Sequence, residues 1–208
     1  MIKRDRYPGY DLLAQRGHWD ETTRKLVLDR VENVPRIQNL TPPQRDALEA
    51  LCARVIPQED VPPEWRVPIA PWIDQNSAEK VLGGYVFEDM PTNDVAWRWG
   101  LEGLDQTARA LFGSRFADLD GDRQNEVLKA IREGNPPGEV WQRMPAERWW
   151  KDVALSQITG TYYAHPYAWE DIGFGGPAYP RGYFALNHGA REPWEVDEAP
   201  AGKEGERP

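Results

Sequence analysis

The chain is poor in the residues that most chemistry needs. It has one cysteine, Cys52, and three histidines in 208 residues. A single thiol forms no internal disulfide and by itself holds neither an iron–sulfur cluster nor a four-ligand zinc. The histidines His18, His165 and His188 have no pair at i, i+4 and none sits in H-E-x-x-H, so zinc-protease spacing is missing too. Basic residues are outnumbered, 25 against 34 acidic, and a net charge of -9 repels a phosphate backbone. The mean hydropathy is -0.73, and no run of 18 apolar residues occurs, which excludes a sequence-evident membrane-spanning helix. Lys3-Arg4-Asp5-Arg6 is not a twin-arginine signal and no apolar stretch follows it. Without an export signal in this chain the expected compartment is the cytoplasm, or the periplasm where a partner carries the signal.

Tryptophan is abundant. Ten Trp, eight Tyr and five Phe, with 18 Gly and 19 Pro, describe an aromatic chain with many turns. Each aromatic removes about 150–250 Å² from water when buried, so either the core is rich in Trp or a partner covers some of them.

Helical periodicity dominates the middle of the chain. Asp20 can cap a short helix carrying Leu26, Val27 and Val31. Thr41-Pro42-Pro43-Gln44 combines an N-cap, first-turn prolines and a capping-box glutamine, and the stripe Leu48, Leu51, Cys52, Val55, Ile56 follows it. Pro62-Pro63-Glu64-Trp65 reads as a rigid connection. Further helices are expected over 68–82, around Trp97, Leu101, Leu104, Ala108 and Leu111, and over Val127 to Ile131. The last is Pro145 to Tyr163, with Trp150, Val153, Ala154, Leu155, Ile158 and Tyr162 on one face. Trp72, Trp97 and Trp150 lie on such stripes and are expected in the core.

No sheet pattern and no internal repeat is present. The expected fold is all-α: an N-terminal arm 1–40 with one short helix, a helical core domain 41–163, an irregular aromatic arm 164–197 and a flexible tail 198–208.

Motifs that could carry chemistry are few and incomplete. Gly173-Phe-Gly-Gly-Pro-Ala178 satisfies the spacing of a dinucleotide fingerprint, but no strand precedes it and Pro177 stands where its helix should begin. Asp118, Asp120 and Asp122 have their glycine in the wrong place for a calcium loop and read as a capped helix start. His165, Glu170 and Asp171 lie close enough in sequence for general acid/base chemistry on a glycoside; the alternative is that His165-Pro166 ends a helix. Cys52 lies on an apolar stripe and reads as a small buried hydrophobe. The Trp-rich, acidic composition also admits a stand-alone carbohydrate-binding module.

Several segments, in order and spacing, resemble the gluconate 2-dehydrogenase subunit 3 family. They are the Thr41 helix start, Leu48-Glu-Ala-Leu-Cys-Ala-Arg-Val-Ile-Pro57, Gly100-Leu-Glu-Gly-Leu-Asp105 and Phe112-Gly-Ser-Arg-Phe-Ala-Asp-Leu119. The likeness runs from about 41 to 186, and Tyr7-Pro-Gly-Tyr-Asp11 and Trp169 to Pro177 resemble a branch with both arms. The resemblance implies a non-catalytic gamma subunit of a sugar or sugar-acid dehydrogenase. Its expected partner is an FAD-dependent large subunit of the glucose-methanol-choline type, and a cytochrome c often completes such complexes. The family carries over no catalytic, cofactor-binding or metal residue to this chain. Members commonly bear a twin-arginine signal, from which this sequence departs. The aromatics that no periodicity assigns to the interior, Tyr7, Tyr10, Tyr167, Trp169, Phe174, Tyr179, Tyr183 and Trp194, are the candidates for partner contact.

Overall fold

A computed structural model describes residues 7, 10–79, 87–184 and 190–196. Among them there are eight α-helices and no strand, and no helix is long and apolar enough to cross a membrane. The expectations for Val81 and Leu82, for His188 and for the tail 198–208 lie outside the described residues.

Contacts divide the chain into two units. The central unit comprises Pro35–Pro57 and Pro68–Tyr162. It holds α2 (Pro42–Val55), α3 (Ile69–Ala78), α4 (Asn93–Phe112), α5 (Gly121–Arg132), the one-turn α6 (Ala146–Arg148) and most of α7 (Ser156–Tyr163). A π-helical stretch, Trp149–Leu155, joins α6 to α7. The local signals behave as their chemistry requires. Thr41 and Gln44 form the capping box of α2, Asp120 accepts from Arg123 N–H at the start of α5, and Gly113 closes α4.

Helix α4 is the hub of this unit, touching α2, α3, α5 and the π stretch. Its inner face is cut back to glycine where indoles arrive. A Cβ on Gly100 would fall 1.9 Å from Trp149 Cε2, and one on Gly103 would fall 2.4 Å from Trp141 Cζ2. Trp149 packs edge-on to Trp97 at 6.1 Å and lies tilted against Trp141 at 5.5 Å. Three polar groups beside this cluster are hydrogen-bonded, Trp97 Nε1 donating to Gln157, Trp141 Nε1 to Thr107 Oγ1, and Thr107 Oγ1 to the Pro137 carbonyl, whereas Trp149 Nε1 finds no acceptor. Asp105, also buried, accepts from Phe116 N–H and holds the turn after α4.

The π stretch corrects the register expected for the last periodic segment. Trp149, Val153, Ala154, Ile158 and Tyr162 are buried, whereas Trp150 is half-buried and Leu155 exposed. Hydrogen bonds reaching to i+5 widen the turn, so a 3.6-residue wheel assigns Trp150 and Leu155 to the wrong face. Trp72, expected in the core, is likewise only half-buried.

The terminal unit comprises Met1–Val34, Gln58–Val67 and Tyr163–Pro208. Its helices are α1 (Glu21–Glu32) and α8 (Pro166–Ile172), with a 3-10 helix at Leu12–His18. The short α8 corrects the expectation that 164–197 lacks helix. It has a Pro at its first position, His165 as N-cap and Gly173 beyond its end at φ 67. Gly173 is also required by contact, because a Cβ there would fall 2.4 Å from the Tyr7 ring. Leu12, Trp19, Val27 and Trp169 form the buried cluster of this unit, with Tyr10 and Leu13 packed on it. The connection around Trp65, read from sequence as part of the core segment, groups here through an edge-on contact of Trp65 with Tyr167 at 5.0 Å.

Candidate functional site

Cys52 is buried in α2, and burial, reinforced by Glu49, pushes its thiol far above the ordinary range. It is expected to resist a thiol reagent at pH 8 until the chain is unfolded. Labelling of the native chain at the rate of a free thiol would contradict that placement.

Helix α7 ends at Tyr163, just before His165-Pro166 as the alternative expected, and His165 also starts the next helix as the N-cap of α8. Its Nδ1 accepts from Tyr167 N–H at 3.2 Å, which fixes Nε2 as the protonated nitrogen facing the Arg30 carbonyl at 3.0 Å. Burial, with a smaller contribution from the Arg30 cation, lowers its pKa to about 4 against the raising effect of the Arg30 carbonyl bond. Both ring nitrogens are thus engaged by backbone, and neither is presented to a substrate. Glu170 accepts from Leu12 N–H at 3.1 Å, stitching α8 to the 3-10 helix across 158 residues of sequence. Burial and then the Glu170 charge raise the Tyr10 phenol. Arg30 donates to the Ala164 carbonyl and lies over the Trp169 ring at 5.8 Å, and burial lowers its pKa. His165 and Glu170, two of the groups that looked like acid/base machinery in sequence, are engaged in folding the terminal unit.

The dinucleotide-like glycines are turns. Gly173 closes α8, Gly176 takes φ 76, and no helix follows among the described residues. Asp118 pairs with Arg115 at 2.9 Å and Asp120 caps α5. Among the described residues no group of three or more His, Cys, Asp or Glu is placed to hold a metal ion.

The eight aromatics singled out from sequence divide by environment. Trp169 is buried, donates to the Tyr163 carbonyl and meets Phe174 edge-on at 5.4 Å. Tyr7 lies against Gly173, Tyr10 rests on the buried cluster, and Tyr167 sits between Trp65 and His165. Trp194 is half-buried under the Arg181 guanidinium, 4.1 Å from its ring. The other three face water: Phe174 is 40% exposed, Tyr179 66% and Tyr183 58%.

Phe184, one of the large apolar groups of the arm but not among the eight candidates, is the most exposed at 71%. Its backbone N–H donates to the buried Glu192 carboxylate, and Glu192 N–H donates to Glu195 at 2.8 Å. Apolar type without periodicity was the available signal, and Phe184 carried it as plainly as Tyr183. Tyr163 and Ile172 are exposed as well. Of the eleven large hydrophobic side chains exposed among the described residues, nine belong to the terminal unit; Leu111 and Leu155 are the two in the central unit. Single exposed hydrophobics are ordinary, but this concentration in one unit is not.

No curated protein and no solved structure matched the chain. A family model described as gluconate 2-dehydrogenase subunit 3 matches residues 42–176, ending before Tyr179, Tyr183 and Phe184. The matched span runs from the first turn of α2 through α8, and on it the chain belongs to the gluconate 2-dehydrogenase subunit 3 family.

Proposed function

We propose that this chain is a non-catalytic small subunit that binds and stabilises an FAD-dependent sugar or sugar-acid dehydrogenase large subunit of the glucose-methanol-choline type. The flavin and the oxidation belong to that partner, and a cytochrome c is the fitting electron acceptor. The observation that carries the reading is the exposed aromatic segment, Phe174, Tyr179, Tyr183 and Phe184, on a unit in which His165 and Glu170 are committed to backbone groups.

The areas are of the right order. At their exposures these four rings offer on the order of 500 Å², against about 800 Å² that each partner contributes to a standard interface. Glu192 and Arg181 fix the segment before any partner arrives, which reduces the ordering cost of association. Binding only to the folded, FAD-loaded large subunit would then raise that subunit's stability by mass action. Because the segment 179–184 lies beyond the family match, it is the part that would select this chain's own partner.

The test is co-expression with the large subunit. The triple substitution Tyr179→Ser, Tyr183→Ser and Phe184→Ser is expected to weaken the complex by about 100-fold or more, as for loss of interface anchors, with a matching fall in flavin retention. Circular dichroism of the free chain should not change, since these rings are exposed. Undiminished co-purification of the triple variant would remove the aromatic segment from the interface.

A further inference from the structure

The exposed apolar side chains of the terminal unit extend beyond the aromatic segment. Leu26 is 59% exposed, Tyr163 50%, Ile172 47% and Trp65 39%. They come from three stretches far apart in sequence: α1, the 58–67 connection, and the stretch from Tyr163 through α8.

Hydrogen bonds and ring contacts gather the four around one knot. Arg30 donates to the Ala164 carbonyl, next to Tyr163, while its own carbonyl faces His165 Nε2 at 3.0 Å. Leu26 precedes Arg30 by four residues on α1, which sets both on one face of the helix. Trp169 donates to the Tyr163 carbonyl at 2.6 Å and carries the Arg30 guanidinium over its ring. Trp65 meets Tyr167 edge-on, and Tyr167 meets His165 in the same way at 4.8 Å. The knot also leads into the aromatic segment, because Trp169 lies edge-on to Phe174 and Ile172 stands two residues before Phe174. Lys25 and Asp29 pair on the adjoining face of α1, supplying the polar margin usual around an apolar contact.

We infer that the large subunit covers this face as well, its contact continuing from Phe174 across α8 to Tyr163, Leu26 and Trp65. The inference rests on the subunit reading above and extends it to α1 and α8. Area supports it: the rings of the aromatic segment offer on the order of 500 Å², short of the about 800 Å² on one side of a standard interface, and these four side chains add on the order of 300 Å². Continuity through Trp169 and Phe174 makes the two parts a surface that one protein can span. A second copy of this chain is a poorer occupant, because two chains of net charge -9 repel one another. Since the contact draws on three separate stretches, the face is complete only when they are folded together.

Hydroxyl-radical labelling of the parent chain, free and in complex with the large subunit, reads each side chain directly. Leu26, Trp65, Tyr163 and Ile172 are expected to lose most of their labelling in the complex. Leu26→Ser with Tyr163→Ser is expected to weaken the complex by about tenfold or more, with circular dichroism of the free chain unchanged. The triple substitution at Tyr179, Tyr183 and Phe184 separates the two claims. Unchanged labelling of the four side chains in a complex that the triple variant weakens would confine the contact to the aromatic segment and overturn this inference, while the subunit reading stands. A double variant that binds as the parent does would have the same meaning. If neither variant weakens the complex, the reading and the inference fall together. Protection already present in the free chain and deepening with its concentration would assign the face to a second copy, and so overturn the inference too.

Discussion

Trp149→Ala is expected to lower the stability of the free chain by about 3–5 kcal/mol, the range for deleting a large buried aromatic. The indole is fully buried, meets Trp97 and Trp141, and lies directly on the backbone of α4 at Gly100. Removing it leaves a cavity whose floor is helix backbone and whose walls are two other indoles, a lining with little freedom to collapse. Total stabilities of domains are about 5–15 kcal/mol, so the loss is a large share. The reverse lesion should be comparable: Gly100→Val places carbon within 1.9–2.3 Å of three Trp149 atoms, and the fully enclosed ring cannot swing aside. Joined in one chain, Gly100→Val and Trp149→Ala should cost less than their sum, because the new side chain occupies the space the ring vacates. Trp149→Phe should be the mildest, since it keeps most of the volume and deletes an Nε1–H that has no acceptor. Urea unfolding followed by circular dichroism measures all four. A midpoint for Trp149→Ala within about 0.3 M of the parent would show that the indole cluster does not hold this unit together.

That cluster also marks how far the sequence could be read. The starts of α2 and α5 were legible because capping is local: Thr41 with Gln44, and Asp120, announce themselves within four residues. The stripe of α4 was legible because twenty residues of α-helix repeat one period often enough to be seen. The π stretch was not, because one widened turn changes the phase without changing the residue types, and Trp149 and Trp150 are chemically identical candidates for the buried position. Helix α8 was missed since seven residues give no stripe, although its His-Pro start and glycine stop were in view. The pairing of Leu12 N–H with Glu170 joins positions 158 residues apart, which no window of local pattern contains. The eight candidate aromatics show the same limit: their type was evident, but their division between a buried cluster and a wet face depends on that long-range closure.

The second large effect belongs to that closure. The terminal unit is expected to lose about 3 kcal/mol as the pH falls from 6.5 to 4, through one side chain. An unfolded histidine titrates near 6.5, whereas His165 in the folded chain holds its pKa at about 4. Between those values the unfolded chain takes up a proton that the folded one refuses, so stability rises with pH across this window. It is complete above 6.5 and gone below 4. The structural reason is the double engagement of the ring. A proton on Nδ1 would face the Tyr167 N–H it now accepts from, at the positive end of α8, with the Arg30 guanidinium close by. Asp20, Asp29 and Asp118, whose carboxyls are held below the ordinary value chiefly by hydrogen bonds, lose their contributions at lower pH and leave the window to the histidine. His165→Asn supplies the control, because asparagine is a good N-cap acceptor and does not titrate. Urea midpoints of parent and variant between pH 4.5 and 7 should diverge, the parent steep and the variant flat. Parallel curves would mean that His165 is accessible to protons in the folded state, and the N-cap geometry that ties α8 to the Arg30 carbonyl would have to be abandoned.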